Sequence, residues 1–199
     1  MSTLALLCLV LAPTDDAKAD QAKTPPLAKV TITAELACLH CTFGEGDECA
    51  VCLKLDDKTP VLLEGKAAEP FFKDRLKKKV VVADGTLTRN KDKRLVLALA
   101  SAHEFTDKDK GKAPEKGQTR IEGQACCGHC DLGLCDECTL ALRNGPLPIV
   151  LDGKLAIQHA EEGKEARGVK ATGQLFTDKR GLLRLDAKSV ELEKPGKSK

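Results

Sequence analysis

Hydrophobic and polar residues alternate along several short stretches of the chain, the pattern of half-buried β-strands. The first stretch, 30–38, is rich in Val, Ile and Thr and alternates almost throughout. Polar turns separate it from further apolar runs, and these predict strands at 49–55, 61–63, 79–88 and 94–105. Pro70, followed by Phe72 and Leu76, predicts a short helix between the third and fourth strands. The predicted order is therefore βββαββ.

The second part of the chain repeats this pattern. Strands are predicted at 121–127, 138–143, 148–151, 168–177 and 181–192, with a helix near 155–166. The run Cys41-Thr42-Phe43-Gly44 matches Cys130-Asp131-Leu132-Gly133, and Gly85 matches Gly173. We therefore expect two tandem copies of one fold, with length differences confined to the loop between the cysteine pairs and the segment just after them.

The ends of the chain and the connection between the copies differ from both copies in composition. Residues 1–19 combine a short apolar run, Leu4 to Ala12, with small residues at Ala17 and Ala19, and this predicts a cleaved signal peptide. Residues 20–28 are predicted to be a tether, 29–105 the first repeat, 106–119 a polar linker, 120–193 the second repeat and 194–199 a polar tail. We expect an exported protein, periplasmic or extracellular, with no membrane anchor in the mature chain.

Each copy carries two Cys-x-x-Cys pairs separated by a short loop. Such pairs can present four sulfurs in the tetrahedral arrangement that Zn(II) prefers. The predicted ligands of two Zn(II) ions per chain are Cys38, Cys41, Cys49 and Cys52 in the first copy, and Cys127, Cys130, Cys135 and Cys138 in the second. Cys126 stands outside these quartets, and we expect it to be a buried free thiol, with a bond to Cys127 as the alternative.

Two other chemistries remain open for the cysteines. An oxidising compartment favours disulfides, which would make each quartet a structural staple of a binding module. The run Cys127-Gly128-His129-Cys130 also matches the active dithiol of protein disulfide isomerase, so a thiol-disulfide oxidoreductase is the one enzyme considered. That activity needs a helix N-terminus at the first cysteine, whereas the pattern here predicts the end of a strand.

Three strands, a helix and two strands in fewer than about ninety residues is the layout of an oligonucleotide/oligosaccharide-binding (OB) barrel. With the run Gly123-Gln124-Ala125-Cys126-Cys127-Gly128-His129-Cys130, the chain resembles uncharacterised exported bacterial proteins whose OB-like domains carry Cys-x-x-Cys motifs. The resemblance implies a mainly β fold of two tandem small OB-like barrels with a short helix in each copy. It implies no activity.

Composition argues against two classes of function. The 199 residues include no Trp, no Tyr and five Phe, and the net charge is only +2, whereas OB barrels bind single strands through aromatic residues in a basic groove. Phe71 and Phe72 are expected to point from the helix into the core. No set of catalytic residues recurs in both copies, so we expect a non-enzymatic protein that does not bind nucleic acid. The sequence identifies no partner.

Overall fold

The protein is described by a computed structural model that covers residues 27–166 and 168–193. The predicted signal peptide, most of the predicted tether and the tail 194–199 lie outside the described residues. The fold is mainly β. Its strands are β1 (Lys29–Cys38), β2 (Val51–Lys54), β3 (Pro60–Glu64), β4 (Val80–Arg89), β5 (Leu95–Glu104), β6 (Gln118–Cys127), β7 (Leu140–Arg143), β8 (Ile149–Asp152), β9 (Gly168–Thr177) and β10 (Leu183–Glu193).

Strands β1–β5, the first half of the structure, close into a barrel. Strand β1 pairs antiparallel with both β2 and β4, β2 pairs with β3, and β4 pairs with β5. The parallel pair β3–β5 completes the ring. A closed five-stranded barrel with few helices is consistent with an OB-like fold.

Strands β6–β10, the second half, have the same set of pairings. Strand β6 pairs antiparallel with β7 and β9, β7 with β8, and β9 with β10, while β8 and β10 are parallel. All ten strands predicted from the alternation are present, with ends that differ by a few residues.

The helical segments are short. The predicted helix of the first half is a 3₁₀ helix, Lys66–Asp74, and that of the second half is divided into α2 (Lys154–Gln158) and α3 (Ala160–Glu165). A further one-turn helix, α1 (Leu39–Phe43), was not predicted. Among the described residues, no helix has the length and apolar character needed to cross a membrane.

The expectation for the two phenylalanines was half wrong. Phe71 is partly buried against the core, but Phe72 is exposed, and its ring lies 4.0 Å from the guanidinium carbon of Arg75. Adjacent residues on a 3₁₀ helix point about 120° apart, so Phe71 and Phe72 do not share one face of it.

The two halves are joined by strand pairing. Residues 29–33 of β1 pair antiparallel with residues 118–122 of β6, on the stretch of β1 that the short strand β2 does not reach. Thr31 lies opposite Arg120 at the centre of this ladder. Strand β6 begins at Gln118 and Thr119 is fully buried, so these two residues of the predicted linker belong to the sheet.

Glycine is required where β4 and β9 bend against their partners. The register of β4 against β5 shifts between Asp84 and Gly85, and a Cβ at Gly85 would collide with the carbonyl of Ala98. A Cβ at Gly173 would collide in the same way with the carbonyl of Asp186. Both glycines therefore permit a close backbone approach at a bulge.

Candidate metal centres

The first site forms where β1 ends. Cys38, the last residue of β1, is also the N-cap of α1, and its Sγ accepts the backbone N–H of Cys41 at 3.5 Å. Gly44, with φ 68°, ends the helix in the left-handed conformation. The chain returns through Cys49 just before β2, which places Cys49 Sγ 3.6 Å from Cys41 Sγ. The sulfurs of Cys38, Cys41 and Cys49 all lie within 4.8 Å of one another.

The second site forms in the same way where β6 ends. Cys127 is the last residue of β6, and its Sγ accepts the backbone N–H of Cys130 at 3.3 Å. Cys138 lies just before β7, with its Sγ 3.5 Å from that of Cys130. The sulfurs of Cys127, Cys130 and Cys138 again lie within 4.8 Å of one another.

The loops around the two sites share a network of contacts at a constant separation of 89 residues. The imidazole Nδ1 of His40 bonds the Gly46 carbonyl at 2.8 Å, and that of His129 bonds the Cys135 carbonyl at 2.7 Å. Three backbone hydrogen bonds of the first loop each have an equivalent in the second. In the first loop they run from Leu39 N to Ala50 O, from Gly44 N to His40 O and from Glu45 N to Leu39 O. The equivalents in the second loop run, in the same order, from Gly128 N to Thr139 O, from Gly133 N to His129 O and from Leu134 N to Gly128 O. Cys138 therefore corresponds to Cys49, and Cys135 corresponds to Gly46.

This correspondence corrects the expected difference in loop length. The segments from Cys38 to Cys49 and from Cys127 to Cys138 have the same length, and the separation falls to 88 only after β2 and β7. In the register of the sheet, Cys52 lies opposite Leu62, and Ala141 lies opposite Val150. The one-residue difference thus falls in the turns between these pairs of strands.

The eight predicted ligands are divided by the structure. Six of them form the two groups of three, whereas Cys52 and Cys135 belong to neither group. A ligand role for these two cysteines, and with it the four-sulfur site, stays a prediction. Cys126 is a buried free thiol, as are Cys38, Cys52 and Cys127 among the described cysteines.

The electrostatics of the first site favour one thiolate in the absence of an ion. Burial acts to raise the pKa of Cys38, but hydrogen bonds from the backbone and side chain of Cys41, from Cys49 and from Arg75 outweigh it and lower the pKa to about 7. The hydrogen bond with Cys38 raises the pKa of Cys41 to about 11, because the two sulfurs then share a proton. The charge on the site is therefore concentrated on Cys38.

Arg75 is a residue of this site that the sequence did not indicate. Its guanidinium interacts with the sulfurs of Cys49 and Cys38, which raises the pKa of Arg75. Its Nη1 donates to the carbonyl of Phe72 at 2.6 Å, and that side chain supports it by the ring contact. Arg75 follows the 3₁₀ helix and lies far from the cysteines in sequence, so no local spacing could have revealed it.

In the second site the pKa is again lowered at the cysteine that ends the strand, but the thiol with the raised pKa is Cys138, the counterpart of Cys49 and not of Cys41. Burial opposes ionisation of Cys127, yet the backbone N–H groups of Cys130 and His129 and the side chains of Cys130 and Cys138 lower its pKa. Hydrogen bonds with Cys130 and Cys127 raise the pKa of Cys138 to about 11.

The three sulfurs of each group fit a thiophilic ion. A Zn–S bond of about 2.3 Å at tetrahedral angles places neighbouring sulfurs about 3.8 Å apart. The separations of 3.6 Å between Cys41 and Cys49 and 3.5 Å between Cys130 and Cys138 are close to this value. Three thiolates leave one tetrahedral position for another donor.

Neither histidine belongs to these groups. His40 and His129 are exposed, and they bond backbone carbonyls through Nδ1. Their role in this structure is to hold the loop closed.

Comparisons with known proteins do not assign the chain to a family. No family model matches it, and no curated protein matches it. Among solved structures, it is similar to a deletion mutant of the single-stranded DNA binding protein from Thermus aquaticus, with 17% identity and a TM-score of 0.45. That similarity covers 87% of this chain and 99% of the other.

Proposed function

We propose that this is an exported, non-enzymatic protein of two tandem OB-like barrels, each carrying a cysteine site for one metal ion, with Zn(II) the first candidate. The observation that carries the proposal is the pair of three-sulfur groups, 38/41/49 and 127/130/138, each within 4.8 Å. Soft thiolate donors at such spacing suit Zn(II) and other thiophilic ions.

The geometry of the two halves supports a common role for both sites. The same backbone N–H to sulfur bond and the same sulfur–sulfur contact occur in each half. Each site also connects two strands of its barrel, β1 with β2 and β6 with β7. An ion held there would tie the end of one strand to the start of the next, so we propose a stabilising role for it.

Elemental analysis of native protein, combined with thiol titration, tests the proposal. We expect about two zinc ions per chain, and six thiols that become reactive only after chelation. A metal content at background level with freely reactive thiols would contradict it. N-terminal sequencing of secreted protein tests export, with a mature terminus at Asp20 expected from the predicted cleavage after Ala19.

A disulfide-stapled binding module is the first alternative. Cys41 Sγ and Cys49 Sγ are 3.6 Å apart, and Cys130 Sγ and Cys138 Sγ are 3.5 Å apart, so a small movement would bring each pair to the bonding distance of about 2.05 Å. The thiol titration separates this alternative from metal binding. Oxidised pairs would become reactive only after reduction, and not after chelation.

A thiol-redox protein using Cys127 and Cys130 is the second alternative. The lowered pKa of Cys127, caused by the turn N–H groups and neighbouring thiols despite burial, favours nucleophilic attack. Exposed Cys130 could then resolve a mixed disulfide. Catalysed reduction of insulin by the metal-free protein would support this alternative, and the variant Cys127→Ser should abolish it.

A further inference from the structure

The proposed metal sites leave open how many of the chain's cysteines bind each ion. Resting on that function, we infer that each ion is held by three protein sulfurs and that its fourth position is open to a small thiol from solution. Cys52, Cys126 and Cys135 are then packing residues. The paired Cys-x-x-Cys motifs predict four sulfur ligands per site. The inferred set in each half has three sulfurs and therefore differs from that prediction.

Cys135 has the role of a space-filling side chain. It corresponds to Gly46, and its Sγ lies 3.1 Å from the position of a Cβ on Gly128. In the first half the residue equivalent to Gly128 is Leu39, which is buried and reaches to 3.5 Å from a Cβ placed on Gly46. The large residue of the first half is Leu39 and the small one is Gly46. In the second half the small residue, Gly128, replaces the leucine, and the larger Cys135 replaces the glycine.

Cys52 and Cys126 are related by a second exchange. Cys52 lies opposite Ala37 in the β1–β2 ladder, and Cys126 lies opposite Ala141 in the β6–β7 ladder. Each half therefore holds one cysteine and one alanine in this cross-strand pair, on opposite strands. Cys52 is fully buried beside Leu39 in an apolar cluster, and its Sγ bonds the Ala37 carbonyl at 3.5 Å. One buried sulfur per pair fills this space.

The fourth position of each site has no donor from the protein. Among residues 27–166 and 168–193, no other Cys, His, Asp or Glu atom joins either group of three. Cys41 and Cys130 are exposed, so the ion would lie at the surface with its free position towards solvent. Three thiolates already select a soft ion, and such an ion prefers sulfur as its further donor.

The two sites differ in the charge around them. In the first half, the guanidinium of Arg75 interacts with the sulfurs of Cys49 and Cys38 and reduces the net negative charge that a fourth thiolate would increase. In the second half, the bonds to Cys127 come from backbone groups and from neighbouring thiols.

Co(II) loading of the full chain tests the ligand count, because the sulfur-to-cobalt charge-transfer intensity rises with the number of thiolates. Cys52→Ala and Cys135→Ala are expected to keep the intensity of the parent protein. Cys49→Ser and Cys138→Ser, the matched ligand variants, are expected to lower it. Addition of β-mercaptoethanol should raise the intensity and shift the ligand-field bands. Zinc X-ray absorption on the unmodified protein gives a count independent of any variant, expected to be three sulfurs and one lighter donor.

Each result decides a separate point. A loss of intensity in Cys52→Ala or Cys135→Ala, or four sulfurs around zinc without added thiol, would overturn the three-sulfur site and leave metal binding intact. A spectrum that does not respond to added thiol would overturn the open position. Failure of the parent protein to take up any cobalt or zinc would overturn the proposed function together with this inference.

Discussion

Cys52 and Cys126 occupy corresponding cross-strand pairs from opposite strands. Cys52 on β2 faces Ala37 on β1, whereas Cys126 on β6 faces Ala141 on β7. Burial raises the pKa of Cys52 to about 12 and that of Cys126 to about 11, so both remain neutral thiols at physiological pH. Both pairs therefore consist of one cysteine and one alanine and have the same side-chain volume. The cysteine lies on the second strand of the pair in the first half and on the first strand in the second half.

This relationship predicts that the sulfur of the first half can be moved to the other strand. Ala37→Cys alone adds a sulfur next to Cys52 and is expected to destabilise the protein by about 1–3 kcal/mol through overpacking. Ala37→Cys combined with Cys52→Ala reproduces the arrangement of the second half, and we expect it to cost less than about 1.5 kcal/mol, as volume-conserving exchanges do. Denaturant unfolding under reducing conditions measures both.

Cys52→Ala alone is the control, with an expected loss of about 1 kcal/mol, similar to that of one buried methylene group. Strictly additive effects of the two substitutions would show that the sulfurs do not share one space.

Arg75 is expected to tune the first site and not the second. Because its charge helps to hold the pKa of Cys38 at about 7, Arg75→Gln should move the first thiolate titration of the metal-free protein to higher pH. Ultraviolet absorbance of the thiolate measures the midpoint. A higher Cys38 pKa means that more protons must leave when the metal ion binds. The affinity of the first site for the metal ion at neutral pH should therefore fall, by about tenfold if Arg75 acts as an outer-shell partner.

Arg75→Lys is the matched control, since it keeps the charge and loses the planar guanidinium. Competition with a chromophoric chelator, carried out in a Cys138→Ser background, isolates the first site. The Cys49→Ser background isolates the second, where an equal effect of Arg75→Gln would contradict a local role.

Metal removal should destabilise the protein. An ion that binds only the folded state contributes about 2.7 kcal/mol when its free concentration is a hundredfold above Kd. Chelation is therefore expected to lower the midpoint of thermal unfolding in the parent protein, and to lower it less in Cys49→Ser or Cys138→Ser. The double variant Cys49→Ser/Cys138→Ser should not respond, and a response of equal size there would assign the effect of the chelator to some other site.

The strands could be predicted from the sequence because parts of the longer ones alternate between buried and partly exposed residues, even though some residues of the second face, such as Thr33, are also buried. In β1, for example, Val30, Ile32, Ala34 and Leu36 are buried, and Lys29, Thr31 and Glu35 are at least partly exposed. The helices were less predictable. The 3₁₀ helix begins at Lys66 and contains Pro70 in its interior, whereas the sequence pattern placed Pro70 at the start of the helix.

The cysteine sites were predicted in part. The sequence pattern aligns Cys135 with Cys49, because each begins the second Cys-x-x-Cys motif of its half. That alignment predicts loops of different length between the two motifs of each half. The constant separation of 89 residues for 38/127, 41/130 and 49/138 was present in the sequence and would have given the three-sulfur groups. The packing exchange between Leu39 and Cys135 depends on side-chain volumes in three dimensions, which no spacing reveals.

The bulge glycines give a test of the strand pairing in the two halves. Gly85→Ala should force the β4 backbone away from the carbonyl of Ala98, and Gly173→Ala should do the same at Asp186. Because the obstructing atoms belong to backbone, we expect each variant to lose about 1–3 kcal/mol or more of unfolding free energy. Gly111→Ala, where nothing lies within 4 Å but φ is 75°, is a control for backbone strain alone. An equal loss in all three variants would argue against the close approach.

Asn144 is expected to hold the two halves together. It lies after β7 and is fully buried, yet its Oδ1 accepts the N–H of Ala28 at 2.9 Å and its Nδ2 donates to the carbonyl of Leu87 at 2.8 Å. Ala28 and Leu87 both belong to the first half. The side-chain amide of Asn144, in the second half, therefore pairs two buried backbone groups of the first half. Asn144→Ala leaves both unpaired, and we expect a loss of about 1–3 kcal/mol for each group that stays buried without a partner.

Asn144→Asp keeps the acceptor for Ala28 and removes the donor for Leu87, placing a carboxylate beside a carbonyl oxygen. It should therefore also destabilise the protein, and more at pH 7 than at acidic pH, where a protonated carboxyl can donate to Leu87. Hydrogen exchange gives the local readout, with faster exchange at the N–H of Ala28 and in the ladder between β1 and β6. If Asn144→Ala left both global stability and this exchange unchanged, the β1–β6 pairing alone would hold the halves together.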